Sequence, residues 1–251
     1  MSSITLITGG SRGLGKNTAL ALAKDGNDVI LTYNSNKHEA DKVVTEITAL
    51  GQKACAFQLD LTETKNLPEF IAKLKTKLHD IWQRKSIDNL VNNAGHGEHA
   101  PVAEITEMQF DGLINVHLKG MLFLTQAVLP IIADKGKIIN ISTGLTRFSL
   151  PGFAAYASIK SAVETLSVYM AKEFGNRGIT VNTVAPGAIE TDFGGGVVRD
   201  NIEINKMIAK STALGRVGRP DDIGPMIAGL LKECNRWVNG QRIEVSGGQN
   251  L

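Results

Sequence analysis

Thr8-Gly9-Gly10-Ser11-Arg12-Gly13-Leu14-Gly15 is the stretch on which the reading of this 251-residue chain turns. It follows a β-branched run at residues 4–8 and opens an amphipathic pattern at 17–24, the strand-turn-helix context that a dinucleotide-binding loop requires. Glycines at 9, 13 and 15 permit a tight turn and let backbone amides approach a pyrophosphate lying on the positive N-terminus of the helix. A plain strand-to-helix turn would show the same glycines, so the rest of the chain has to decide.

Beyond this loop, further short runs rich in β-branched residues recur at 29–33, 54–59, 89–92, 137–142, 180–184 and 242–245. Between them, 39–50, 67–78, 107–129 and 155–174 carry helical periodicity. Strand alternating with helix predicts a parallel, doubly wound, Rossmann-type α/β/α sheet of about seven strands, because parallel neighbours need crossover helices that cover both faces. No repeat, low-complexity tract or Pro/Ser-rich linker divides the chain, so residues 1–251 are read as one domain. The irregular stretch 188–216, broken by Gly194-Gly195-Gly196, is read as a mobile lid.

Composition narrows the partners. Twenty-seven basic and 25 acidic residues leave a formal charge of +2, with 43% hydrophobic residues. That balance offers no electrostatic case for a nucleic-acid or membrane surface and points to a small-molecule partner. Cys55 and Cys234 lack paired zinc spacing and are too few for a disulfide framework. Strand-like residues begin at once, with no cleavable leader pattern before them, so the expected location is the cytoplasm. His96 and His99 invite a metal, but the glycine-flanked spacing is not a helical ligand pair and no metal is expected.

Several landmarks come after the glycine loop in order. They are Asn92-Asn93-Ala94-Gly95, Asn115, Tyr156-Ala157-Ser158-Ile159-Lys160, Pro186-Gly187, Thr191, Leu214-Gly215-Arg216 and Arg219-Pro220-Asp221-Asp222-Ile223. Together they resemble the short-chain dehydrogenase/reductase family across the whole chain, particularly its 3-oxoacyl reductase-like members. The resemblance implies hydride transfer between a nicotinamide cofactor and a carbonyl or alcohol carbon. It places Gly9, Ser11, Arg12, Gly13, Leu14 and Gly15 on the phosphates, Asp60 and Leu61 at the adenine, and Asn92, Ala94 and Gly95 along the cofactor. Pro186, Gly187, Ile189 and Thr191 fall at its nicotinamide end. A homo-oligomer, dimer or tetramer, is implied through helices 107–129 and 155–174. Ser246-Gly247-Gly248 departs from the family's acidic residue before paired glycines, which bears on subunit contacts.

Charge argues for NADP(H) over NAD(H). An acidic residue ending the second strand would repel a 2′-phosphate, and none is there. Tyr33, Asn34, Ser35 and Lys37 supply polar groups and a cation instead, and Arg12 adds a guanidinium suited to phosphate.

Reducing a ketone needs a proton donor. Tyr156 and Lys160 are four apart on a helical pattern and share one face, where an ammonium favours the phenolate. The resemblance makes both catalytic, places both Tyr156 and Lys160 among the cofactor-binding residues, and gives Asn115 a place in a water-linked proton path to Lys160. It also calls for a hydroxyl thirteen residues before the tyrosine, which is Thr143, with Ser142 one place further back. Strand alternation sends those two side chains to opposite faces, and Thr143 is preferred. Leu145, Phe148, Leu150, Pro151, Phe153, Phe193, Val197 and Val198 are candidate pocket walls. A 3-oxoacyl thioester is the nearest specific substrate. The alternatives are a sugar, polyol or steroid alcohol, or a redox-sensing protein that binds NADP(H) without turnover.

Overall fold

Seven strands form one parallel sheet in the computed structural model, which describes residues 2–251. They are β1 (Ile4–Ile7), β2 (Asp28–Tyr33), β3 (Ala54–Gln58), β4 (Ile87–Asn92), β5 (Ile132–Ile141), β6 (Thr180–Pro186) and β7 (Arg242–Val245). The spatial order is β3-β2-β1-β4-β5-β6-β7, with every pairing parallel. The chain runs outward from β1 to β3, then crosses back to lay β4 on the other side of β1. That reversal leaves a crevice at the C-terminal ends of β1 and β4, the place where such sheets bind ligands.

The sheet is buried on both faces, so its strands read as continuous apolar runs rather than as an alternation. All four residues of β1 are buried. Leu6 turns to a core shared with α3 (Leu67–Trp82), α5 (Met121–Val128) and α6 (Ala154–Glu173). Ile7 turns to a second core with α1 (Gly13–Lys24), α2 (Lys37–Ala49) and α9 (Pro220–Leu230).

Two stretches differ from the sequence expectation. The helix expected at 107–129 is interrupted: α4 (Glu107–Leu113) passes into a π-helical segment at Ile114–Gly120 before α5. A π segment widens the turn to i→i+5 hydrogen bonds and shifts the phase of the helical turns after it. Glu107–Ile131 is apolar and long enough by composition to cross a membrane. Here its Leu113, Met121, Leu124 and Val128 are buried in the protein interior. The second difference lies within 188–216, which holds two helices, α7 (Val197–Asp200) and α8 (Ile202–Lys210).

Candidate active site

The expected cofactor residues gather along one sheet edge, because each follows the C-terminal end of a parallel strand. The glycine loop follows β1, Asn34 to Lys37 follow β2, Asp60 and Leu61 follow β3, Asn92 to Gly95 end β4, and Pro186 to Thr191 leave β6. Gly9 has φ +65°, a left-handed value that side chains resist. A Cβ on Gly15 would run into the Gly9 carbonyl oxygen and the Asn93 amide nitrogen. The loop therefore closes only with glycine at that position. The first amides of α1, from Gly13 onward, have no partner within the helix and point out of its N-terminus, which suits a pyrophosphate.

Two residues that the sequence reading left without a role tie this loop down. The Thr8 hydroxyl accepts hydrogen bonds from the amides of Asn93 at 2.9 Å and Ala94 at 3.0 Å. The Asn93 side chain donates to the carbonyls of Thr8 at 2.9 Å and Gly9 at 3.2 Å. Their adjacency to the motifs was visible; the cross-strand pairing that gives them work depends on β1 and β4 being neighbours.

The two cations expected at a 2′-phosphate are not equivalent. Lys37 Nζ lies 2.6 Å from Asp41 one helical turn on, and its ammonium is held protonated by that carboxylate. Arg12 is exposed at the N-cap of α1 and has no ion pair among the described residues. Of the neighbouring groups, Asn34 and Ser35 are exposed, while Tyr33 is buried as part of the second core. Asp60 is exposed and its carboxylate accepts from the amide and hydroxyl of Thr62.

At the chemical end, α6 carries Tyr156 and Lys160 inward, 6% and 5% exposed. Lys160 Nζ donates to the Ile141 carbonyl oxygen at 2.7 Å and sits 5.8 Å from the centre of the Tyr156 ring. Burial pulls the Lys160 ammonium down to about 7, opposed by Glu164, and pushes the Tyr156 phenol above its usual value. Burial alone sets the direction for the phenol, and the pair rests with Tyr156 protonated, a proton donor.

The two candidate hydroxyls separate as strand alternation requires. Ser142 is buried and donates to Glu164 Oε1 at 2.6 Å. That carboxylate also takes Thr146 Oγ1 at 2.8 Å and Arg242 Nε at 2.9 Å, so Ser142 belongs to a structural network under β7. Thr143 is half-buried, and its Oγ1 only accepts, from the Leu145 amide at 3.3 Å. Its O–H has no acceptor among the described residues.

Asn115 is not the residue that the interrupted helix brings to this pair. It is half-buried, and Asp111 and Lys119, four residues to either side, are exposed. His117, two residues on and round the helix, is 3% exposed and packs edge-on to Tyr156 with ring centres 5.4 Å apart. Its Nε2 lies 2.7 Å from the His96 carbonyl oxygen. Burial, with Lys160 close by, drives its imidazole well below the ordinary histidine range. Gly95 makes room for it, since a Cβ there would strike the imidazole. The signal was present in the sequence: a histidine in the buried stripe of Leu113, Met121, Leu124 and Val128.

The mouth is aromatic. Phe193 lies 5.8 Å from Tyr156, and His99 stacks edge-on to Phe153 at 5.0 Å. Phe148 sits under the Arg147 guanidinium at 5.6 Å. Leu150 and Val197 are exposed nearby in sequence, and Val198 is half-buried.

Comparison with known proteins gives the family. A family model described as enoyl-(acyl carrier protein) reductase matches residues 9–250. A hydroxynaphthalene reductase-like protein of Metarhizium brunneum is 35% identical over 256 residues, covering 98% of this chain and 94% of that protein. Among solved structures, a promiscuous reductase, LugOII, that catalyses keto-reduction at C1 during lugdunomycin biosynthesis superposes with a TM-score of 0.94. The two are 36% identical, with 99% of this chain and 98% of that one covered. The angucycline C-6 ketoreductase LanV, solved with bound NADP, gives a TM-score of 0.93 at 31% identity, covering 99% and 95%. With its glycine loop, its buried Tyr156 and Lys160 and these relatives along its whole length, the chain belongs to the short-chain dehydrogenase/reductase family, oxidoreductases acting on C=O and CH–OH groups.

Proposed function

We propose that this protein is an NADP(H)-dependent ketoreductase acting on a flat, ring-bearing ketone. The carrying observation is the aromatic lining beside a buried phenol: Phe193 lies 5.8 Å from Tyr156, and His99 and Phe153 pair at 5.0 Å. The cofactor supplies the hydride; what this chain supplies is position and a proton. The Thr143 hydroxyl donates to the carbonyl oxygen, Tyr156 Oη gives it the proton as negative charge develops, and the Lys160 ammonium offsets charge on the phenolate left behind.

A planar ring ketone is preferred to a 3-oxoacyl thioester, sugar or polyol because rings pack against aromatic walls by offset or edge-on contact, which a flexible chain or hydroxyl-rich ligand does not use. The relatives named for hydroxynaphthalene and angucycline reduction point the same way. The test is NADPH oxidation against a panel of naphthol-type and polycyclic ketones, acyclic keto-esters and oxoacyl thioesters. The ring ketones should show the highest kcat/KM; a thioester that outruns them all overturns the substrate reading.

The choice of NADP(H) rests chiefly on Arg12. A charge-assisted hydrogen bond contributes about 1.5–3 kcal/mol, so Arg12→Ala should weaken NADPH binding about tenfold to a hundredfold and leave NADH binding unchanged. Fluorescence titration of both cofactors checks this, and an equal loss for NADH would show that Arg12 does not read the phosphate.

Residues 188–216 serve as the lid. Gly194, Gly195 and Gly196 all have positive φ and connect Phe193, which touches the site, to α7 and α8. Phe123 of α5 and Val168 and Tyr169 of α6 are exposed on the helices expected to join subunits. Their exposure supports a homo-oligomer, and a monomer on sizing chromatography ends that reading.

A further inference from the structure

Beside Lys160 lies a small cavity of about 10 Å³, whose polar walls are Thr8, Asn92, His117, Asn140 and Lys160. Its size admits a single water. Most of its polar walls are already satisfied. The Thr8 hydroxyl is held by two amides, and Asn140 accepts from Asn92 Nδ2 at 2.8 Å while donating to Ser167 at 2.8 Å.

Two acceptors are not satisfied. Asn92 Oδ1 and His117 Nδ1 are fully buried side-chain atoms without a hydrogen-bond partner among the described residues. The orientation of each is fixed by its other end. Asn92 Nδ2 donates to Thr125 at 3.0 Å and to Asn140, which leaves Oδ1 as the free end. His117 Nε2 lies 2.7 Å from the His96 carbonyl oxygen and 3.2 Å from the His96 amide nitrogen; the shorter contact takes Nε2 as the donor, which leaves the lone pair on Nδ1. The third polar wall is the Lys160 ammonium, which has spent one of its three N–H donors on Ile141.

We propose that His117, as a neutral Nε2–H imidazole, is a positioning residue for the Tyr156–Lys160 pair. Its Nδ1 and Asn92 Oδ1 each accept a hydrogen bond from one buried water, which in turn accepts from Lys160 Nζ. One molecule serves all three groups: its two donors meet the two acceptors, and one of its lone pairs meets a second N–H of the ammonium, whose third N–H stays free. The water's oxygen, polarised by the two acceptors, favours the charged form of Lys160 against its burial. That charge lies beside the phenol, so its loss would make Tyr156 harder to ionise.

The other titratable or charged groups around the cavity are Tyr156 and Glu164 on α6, Arg242 of β7 through its bond to Glu164, and His96 after β4. Of these, Glu164 also supports the ammonium. The glycine loop, β5 and α5 bring none to the wall.

The inference rests on Tyr156 and Lys160 doing the chemistry, so its test has one readout that needs no turnover. A high-resolution crystal structure of the wild type should show an ordered water within hydrogen-bond distance of Lys160 Nζ, His117 Nδ1 and Asn92 Oδ1; a dry cavity overturns the proposal. In solution, the acid limb of the kcat profile for alcohol oxidation with NADP+ reports ionisation of the phenol. His117→Leu should move that limb upward by about one pH unit, lowering kcat about tenfold below it, with KM unchanged. His117→Asn, which restores an acceptor, should return the limb towards the wild-type position. A leucine variant with the wild-type profile, or an asparagine variant as impaired as leucine, would overturn it. If His117→Leu does not fold, the asparagine variant and the wild-type crystal still decide. A wild type that turns over no carbonyl or alcohol at all would sink the ketoreductase reading, while the cavity water would still be read from the crystal.

Discussion

Tyr156→Phe should remove ketone-dependent NADPH oxidation while leaving the cofactor's Kd within about twofold. The phenol oxygen is the only atom lost, and the ring that packs against His117 and Phe193 remains. Loss of a general acid lowers rate by about 10²- to 10⁴-fold. The effect belongs in kcat, because an interaction made only as charge develops is absent from the ground state. Stopped-flow traces at saturating ketone, together with fluorescence titration of NADPH, separate the two. A phenylalanine variant that keeps a tenth of wild-type kcat would mean that the proton comes from elsewhere, and the burial of Tyr156 would then be structural.

The same burial sets the expected response to pH. A phenol pushed above its usual value stays protonated through neutrality. Reduction should therefore show no loss of rate from phenol ionisation around pH 7, whereas the reverse oxidation should climb as pH rises. Lys160, pulled down to about 7, titrates inside the working range. Its charge is full below that value and lost above it, so support for the phenolate weakens as pH rises through about 7.

What could be read from sequence was whatever depends on neighbours along the chain. The glycine loop, the Tyr156–Lys160 turn and the strand periods are local, and the observed sheet arises from them through the rule that parallel neighbours need crossovers. What the sequence did not show depended on phase or on partners from afar. Asn115 and His117 differ by two positions, which on a helix is the difference between opposite faces, and the π segment at Ile114–Gly120 alters the phase at that very place. Lys37 looked like a phosphate cation because its sequence context is polar, yet Asp41 one turn later claims its charge. Glu164 drew no attention as a surface-looking carboxylate within α6. Only the fold brings Ser142, Thr146 and Arg242 to it.

That carboxylate also makes the choice between the two hydroxyls testable. Thr143→Ala should lower kcat by about 10²- to 10³-fold, the usual cost of losing one donor to a developing oxyanion. Thr143→Ser should recover most of it, since the hydroxyl returns without the methyl group. Ser142→Ala should behave differently. Its hydroxyl donates to Glu164, which keeps Thr146 and Arg242, so its removal should lower the melting temperature and leave kcat within about threefold. The two outcomes differ in kind, one in turnover and one in stability, so measuring kcat and Tm on the same preparations distinguishes them. If Ser142→Ala loses turnover while Thr143→Ala keeps it, the oxygen of the substrate is bound on the Glu164 side of β5. Glu164 would then face the reacting carbonyl, and the structural network under β7 would have to be redrawn as part of the active site.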